Sequence, residues 1–213
     1  MSETSRPIGC VIMASGLARR FGSNKLLADF GGRPLLCRAL DATDTPQLAC
    51  RIVVTLSAEG ETLCQTLGVA CLRHALPGRN DTVRLGLEAL LTLQPGLAGC
   101  IFLPGDQPLL RRETVEALVC AFGSGTRTQK ETERAIFRLA FQAENDPEPL
   151  VGSPVLFGCG YFSALRTLPE GKGGSVLLRR YPERVCNVFT ADRAELLDAD
   201  TPEALRELKQ FLI

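Results

Sequence analysis

The chain has 213 residues, 45% of them hydrophobic and 23% charged, with a formal net charge of zero. That length suits one domain with a sizeable core, and the balanced charge gives no overall pull toward nucleic acid or a membrane surface. No apolar run approaches the roughly 20 residues of a membrane helix. The polar start Met-Ser-Glu-Thr-Ser-Arg-Pro has no secretory core, so a cytoplasmic protein is expected. The nine cysteines, an odd number without C-x-x-C spacing, read as reduced thiols and not as a disulfide framework or zinc site. His74 is the only histidine. It is placed in a connection after a strand, which leaves little from which to build a catalytic triad or a histidine metal site.

In chain order, the apolar run Ile8 to Met13 predicts a buried strand that breaks into a loop holding Gly16 and Gly22. Helical spacing over Leu35 to Ala42 is followed by a strand over Ile52 to Leu56, a helix over Gly60 to Leu67 and a strand over Val69 to Leu72. Thr82 to Leu93 predicts a helix, Cys100 to Leu103 a strand and Arg112 to Phe122 a helix. Strands over Ala135 to Ala140, Pro154 to Phe157 and Val185 to Phe189 precede a last helix over Thr201 to Phe211. Alternating strands and helices predict an α/β protein with a mainly parallel sheet covered on both faces. The polar and acidic stretches of 123–150 flank one strand, and the region reads equally as a path toward a second substrate or as an exposed insertion.

The loop after the first strand carries the strongest chemical signal. Small residues let backbone amides approach an anion, and Arg19, Arg20 and Lys25 neutralise it. Five residues separate Gly16 from Gly22, which fits neither the P-loop nor the dinucleotide fingerprint. The strand Cys100 to Leu103 ends in Gly105-Asp106-Gln107-Pro108. Ligands of open α/β sheets bind beyond the carboxyl ends of strands, so Asp106 is expected at the same edge as the glycine loop. Magnesium favours one or two carboxylates plus phosphate oxygens, which makes Asp106 the candidate ligand. Asn80, Asp81 or Thr82 is expected to cap the following helix, with Arg84 in its first or second turn. Lys172-Gly173-Gly174-Ser175 reads either as a nest for an acceptor phosphate or as a turn with a helix cap at Ser175. Thr201 and Pro202 open the last helix as cap and first-turn residue.

Met13-Ala14-Ser15-Gly16, Arg20-Phe21-Gly22 and Lys25 resemble, in order, the signature loop of nucleotidyltransferases that move a nucleoside monophosphate from an NTP. With Gly105-Asp-Gln-Pro-Leu, Gly152-Ser-Pro-Val-Leu-Phe and Asp198-Ala-Asp-Thr-Pro, nearly the whole chain is similar to the MocA-like molybdenum cofactor cytidylyltransferases. These form a branch of the MobA-like NTP transferase family. The resemblance implies a three-layer α/β/α Rossmann-like fold and one nucleotidyltransferase domain over 1–213, with a flexible N-terminus at 1–7 and a variable insertion at 123–150. It implies transfer of CMP from CTP to the molybdenum cofactor with release of pyrophosphate, Mg²⁺ as cofactor, and a molybdenum hydroxylase of the xanthine dehydrogenase type as a partner.

Residue by residue, the resemblance implies catalytic roles for Arg20, Lys25 and Asp106. It implies nucleotide binding by Ala14, Ser15, Gly16, Arg19, Arg20, Lys25, Asn80, Asp81 and Thr82, and acceptor binding by Ser153, Lys172, Gly173 and Ser175. Asp198 or Asp200 would add a second metal ligand to Asp106. Ser153 stands where relatives carry histidine, Lys172 to Ser175 where they carry an aspartate-bearing segment, and Asn80 to Thr82 where they carry serines. Guanylyl relatives carry Gly-Gly at the position of Ser15-Gly16, and the bulkier Ser15 argues for a pyrimidine. A sugar or polyol phosphate acceptor, GTP as donor, and a non-catalytic accessory protein that hands over the cofactor stay open as alternatives.

Overall fold

The structure, a computed structural model, describes residues 7–16, 21, 24–124 and 128–212. Its frame is a seven-stranded sheet: β1 (Ile8–Ala14), β2 (Cys50–Thr55), β3 (Cys71–Arg73), β4 (Gly99–Pro104), β5 (Ile136–Phe141), β6 (Leu150–Gly158) and β7 (Val185–Thr190). The helices are α1 (Leu36–Ala42), α2 (Ala58–Thr66), α3 (Arg79–Leu93), α4 (Arg112–Gly123), α5 (Gln129–Glu133), α6 (Phe162–Arg166), α7 (Ser175–Arg180) and α8 (Pro202–Leu208). The strand order is β3-β2-β1-β4-β6-β5-β7. All neighbouring pairs are parallel except those of β6, which runs against both β4 and β5.

Strand alternation divides the core between the two faces of the sheet. Ile8, Cys10, Ile12 and Ala14 of β1 pack on one side with Leu36, Leu40, Val115, Leu118, Phe122, Leu205 and Leu208 from α1, α4 and α8. Val11, Ile52, Val54 and Phe102 face the other side, against Val83, Leu87 and Leu90 of α3, Leu165 of α6 and Leu177 of α7. α3 lies close on the sheet because of Gly86: a Cβ there would meet Val11 Cγ1 at 2.6 Å and Val54 Cγ2 at 2.9 Å. This contact fixes the first turn of α3 at the carboxyl edge of β1 and β2. Among the described residues no helix is long and apolar enough to cross a membrane, and all nine cysteines are free.

The predicted strands and main helices form, with shifted ends. α3 starts three residues before the expected Thr82, so Asn80, Asp81 and Thr82 lie inside its first turn and none is the cap. Gly78 takes that place, and the Asp81 carboxylate accepts the Gly78 N–H at 3.2 Å. Gly174 likewise precedes α7 in place of the expected Ser175 cap. Thr201 does cap α8, accepting the Ala204 N–H at 3.1 Å. Residues 123–150 are more than an exposed insertion, because they hold β5, an interior strand with Ile136, Phe137, Leu139 and Ala140 buried between β6 and β7. Of the N-terminal segment 1–7, only Pro7 is described; its carbonyl accepts the Ala98 N–H at 2.8 Å.

Candidate active site

Lys25 opens a short 3₁₀ turn, Lys25–Leu27, whose start is fixed by Asn24: its Oδ1 accepts the Leu26 N–H at 3.2 Å and its Nδ2 donates to Ser57 Oγ at 2.8 Å. The lysine is thereby turned inward. Its ammonium donates to Asp106 and, at 2.9 Å, to Asp200 Oδ1. Asp106 is carried past the end of β4, where the Gly105 N–H still bonds Met13 O at 3.0 Å. Asp200 is brought beside it by the Ala199 N–H, which donates to the Asp106 carbonyl at 2.9 Å. Three segments far apart in sequence therefore meet at one sheet edge. Burial lowers the proton affinity of Lys25, but the hydrogen bond and charge of Asp106, followed by those of Asp200, outweigh it and hold the lysine above its ordinary value.

Asp198 behaves differently. Its surface is exposed, but its carboxyl sits in a concave site that withdraws solvent. That desolvation, with the charges of Asp106 and Asp200, pushes its pKa from 3.8 up to about 6; a hydrogen bond from Gln107 and the charge of Lys25 pull the other way. Gln107 is itself buried, and its Oε1 has no hydrogen-bond partner.

Lys25, Asp106, Asp198 and Asp200 line a cleft of about 400 Å³ together with Met13, Ser15, Gly16, Pro77, Gly78, Arg79, Thr82 and Ser153. A second cavity of about 240 Å³ adjoins it, sharing Met13, Arg79 and Ser153. Its walls are largely apolar (Val83, Phe102, Val155, Phe157, Leu178), with Arg138, Gly173, Gly174 and Ser175 also at its rim.

The cleft thus gathers Ser15, Gly16, Lys25, Thr82, Asp106, Ser153, Asp198 and Asp200 from the expected set, and the second cavity gathers Ser153, Gly173 and Ser175. Other expected residues lie elsewhere. The Ala14 side chain is buried in the core, and its carbonyl accepts from Thr55 Oγ1. Asn80 accepts the Gly171 N–H at 2.8 Å and so ties the 171–175 loop to α3. Asp81 is occupied by the Gly78 N–H and Arg84, and Arg84 also pairs with Glu88. Lys172 is exposed and lines neither cavity. Arg19, Arg20 and Gly22 fall outside the described residues. Sequence reading missed Arg79, which joins the two cavities, and Arg138, whose signal was a lone arginine inside an apolar strand. It also missed Gln107 as a partner of Asp198.

Among the described residues no three His, Cys, Asp or Glu side chains converge as a complete metal-ligand set. Asp106, Asp198 and Asp200, which line the cleft, are hard oxygen donors of the kind a divalent cation takes together with substrate oxygens.

An open α/β sheet with a cleft at the carboxyl ends of its strands, lined by Lys25, Arg79 and three carboxylates, is the form of a nucleotide-binding protein. A model of the MobA-like NTP transferase domain matches residues 10–185, and the chain belongs to that family. The bifunctional protein GlmU of Anaeromyxobacter sp. strain K is 33% identical over 132 residues, 57% of this chain and 26% of that protein. A probable molybdenum cofactor guanylyltransferase of Pyrococcus horikoshii is 25% identical over 116 residues, 54% of this chain and 57% of the relative. The matches therefore span about a quarter of the first relative and somewhat over half of the second. The crystal structure of an Rv0371c homologue from Mycobacterium sp. strain JC1 shares the fold, with a TM-score of 0.75, 24% identity, and coverage of 98% of this chain and 97% of the other.

Proposed function

We propose that the protein transfers CMP from CTP to the terminal phosphate of the molybdenum cofactor, releasing pyrophosphate. The observation that carries the reading is Lys25, held by Asp106 and Asp200 at the mouth of β1 and β4, in a cleft that opens through Arg79 and Ser153 into a second cavity. One cavity suits a nucleoside triphosphate and the other an acceptor. Mg²⁺ held by Asp106, with Asp198 or Asp200, would neutralise phosphate charge.

The acceptor phosphate is already ionised and attacks the α-phosphorus in line, so no general base is required. Catalysis rests on positioning and charge neutralisation. Lys25 faces the departing pyrophosphate, and Arg20 would share that role. Arg79 and Ser153, at the junction, hold the acceptor phosphate in line. Apolar walls beyond them exclude water from the transfer.

The name of the Pyrococcus relative favours a second reading, in which GTP is the donor. Pyrophosphate release, followed with purified protein, Mg²⁺, molybdenum cofactor and either CTP or GTP, separates the two. Release with CTP alone supports the cytidylyl reading, and release with GTP alone replaces it. Release only when sugar or polyol phosphates are supplied reassigns the acceptor. Cofactor binding without release from any donor marks an accessory protein.

A further inference from the structure

The single histidine has no part in the reading above. His74 follows β3, and its N–H donates to Thr55 O at 3.0 Å, which continues the ladder beyond the paired residues. The half-buried ring reaches across to the end of β1. Nδ1 accepts the Leu76 N–H at 3.2 Å. A neutral imidazole nitrogen that accepts carries no proton, so the ring proton sits on Nε2. Nε2 lies 3.1 Å from Ser15 Oγ and 3.5 Å from Thr82 Oγ1. The Ser15 hydroxyl donates in turn to Val54 O at 3.0 Å. Every donor in this chain meets an acceptor, from the Leu76 amide through the ring and Ser15 to the Val54 carbonyl near the end of β2. Burial holds the ring's pKa below the ordinary value; of the charged groups on α3 (Arg79, Asp81, Arg84 and Glu88), Asp81 and Arg84 act on it, in opposite directions.

We infer that His74 is a positioning residue of the nucleotide loop. Its Nε2–H pins the Ser15 hydroxyl, and through it the Ser15–Gly16 backbone that lines the cleft. With its only proton given to Val54 O, Ser15 acts as an anchor of the loop and not as a donor to ligand. The inference rests on reading the cleft as the triphosphate site.

Two measurements test it, one independent of activity. With a single histidine, ¹⁵N-histidine labelling gives one unambiguous pair of ring signals. The expected result at neutral pH is an unprotonated Nδ1 and a protonated Nε2; the opposite tautomer, or an average of both, overturns the network. The second measurement is kinetic. His74→Ala should raise KM for the NTP about fivefold, the share of one net hydrogen bond, with kcat changed less than about twofold.

His74→Gln, whose amide N–H reaches toward the Nε2 position, should recover most of that loss. Ser15→Ala and the double variant should show the same KM increase as His74→Ala, since both remove one linkage. Additive losses, or an unchanged KM in His74→Ala, overturn the positioning role while leaving the NTP site in place. A wild-type protein that binds no NTP removes the reading of the cleft and this inference with it, whatever the tautomer.

Discussion

Two clusters of acidic and basic side chains tie the C-terminal quarter of the chain to its sheet, and they are built on opposite terms. Glu195, fully buried, accepts from the Arg111 N–H at 3.0 Å and from the Arg111 guanidinium at 2.7 and 3.1 Å, and also from the Thr190 hydroxyl. Burial alone would raise its pKa, but Arg111, Thr114 and Thr190 hold it below the ordinary value. Five residues away, Asp200 shares Lys25 with Asp106, and Asp198 is crowded against both carboxylates. The first cluster satisfies itself. Among the described residues, the second sets the three carboxylates of Asp106, Asp198 and Asp200 in one cleft with Lys25, which is an arrangement that a cationic ligand completes. A lock and a binding site can therefore be told apart by whether the partners are already sufficient.

The largest expected effect falls on the lock. Glu195→Ala strands Arg111 and three donors, and should cost about 3 kcal/mol in urea unfolding, near the low end for a broken buried pair because Arg111 is half exposed. The stability Glu195 contributes is present above its unfolded pKa, near 4.5, and is lost as pH falls through its lower folded value. The gap between wild type and Glu195→Gln should therefore narrow as pH falls below 4.5 and close once the lower folded value is passed. A gap that stays constant down to low pH would break the assignment of a charged lock.

The next effect belongs to the site. Lys25→Ala or Asp106→Ala should lower pyrophosphate release by roughly a hundredfold or more, on the order of 3 kcal/mol of transition-state stabilisation, while circular dichroism stays native. Near-normal turnover in either variant would remove the cleft from the chemistry. Arg79→Ala should raise the acceptor KM by roughly tenfold, the share of one charge-assisted hydrogen bond. Gly173→Val, whose Cβ would meet Arg79 Cδ at 2.8 Å, should produce part of the same loss by displacing the arginine. An acceptor KM unmoved in both variants would separate the second cavity from acceptor binding.

The central strands were legible because parallel strands buried on both faces read as continuous apolar runs, as in Ile8 to Met13 and Cys100 to Leu103. Lys25 and Asp106 were legible as motif residues at strand ends. Their hydrogen bond was not, because it depends on the Asn24 turn that aims the lysine inward, and the link to Asp200 depends on a backbone bond from Ala199 to Asp106. The start of α3 was misplaced because its cap is Gly78, which has no side chain to announce it; Asp81, three residues on, holds the Gly78 N–H. Asn80, expected at the nucleotide, also accepts the Gly171 N–H, a contact between residues 91 positions apart that no local pattern encodes.

The smallest effect is the most discriminating, because its sign is opposite in the two clusters. Asp198 has a folded pKa of about 6 against an ordinary 3.8. Between those values the folded state binds more protons than the unfolded one, so this group makes stability fall as pH rises, and the penalty persists above pH 6. Asp198→Asn should therefore melt slightly above wild type at pH 7.5 in the presence of chelator, a shift kept modest by the exposure of the side chain. Near pH 4 the two proteins should melt together. Adding Mg²⁺ at pH 7.5 should raise the wild-type melting temperature more than that of the variant, since the crowded carboxylate then gains its partner. A metal-free wild type that melts above Asp198→Asn at pH 7.5 would show that the cleft, like the Glu195 lock, is already satisfied, and the contrast between the two clusters would fail.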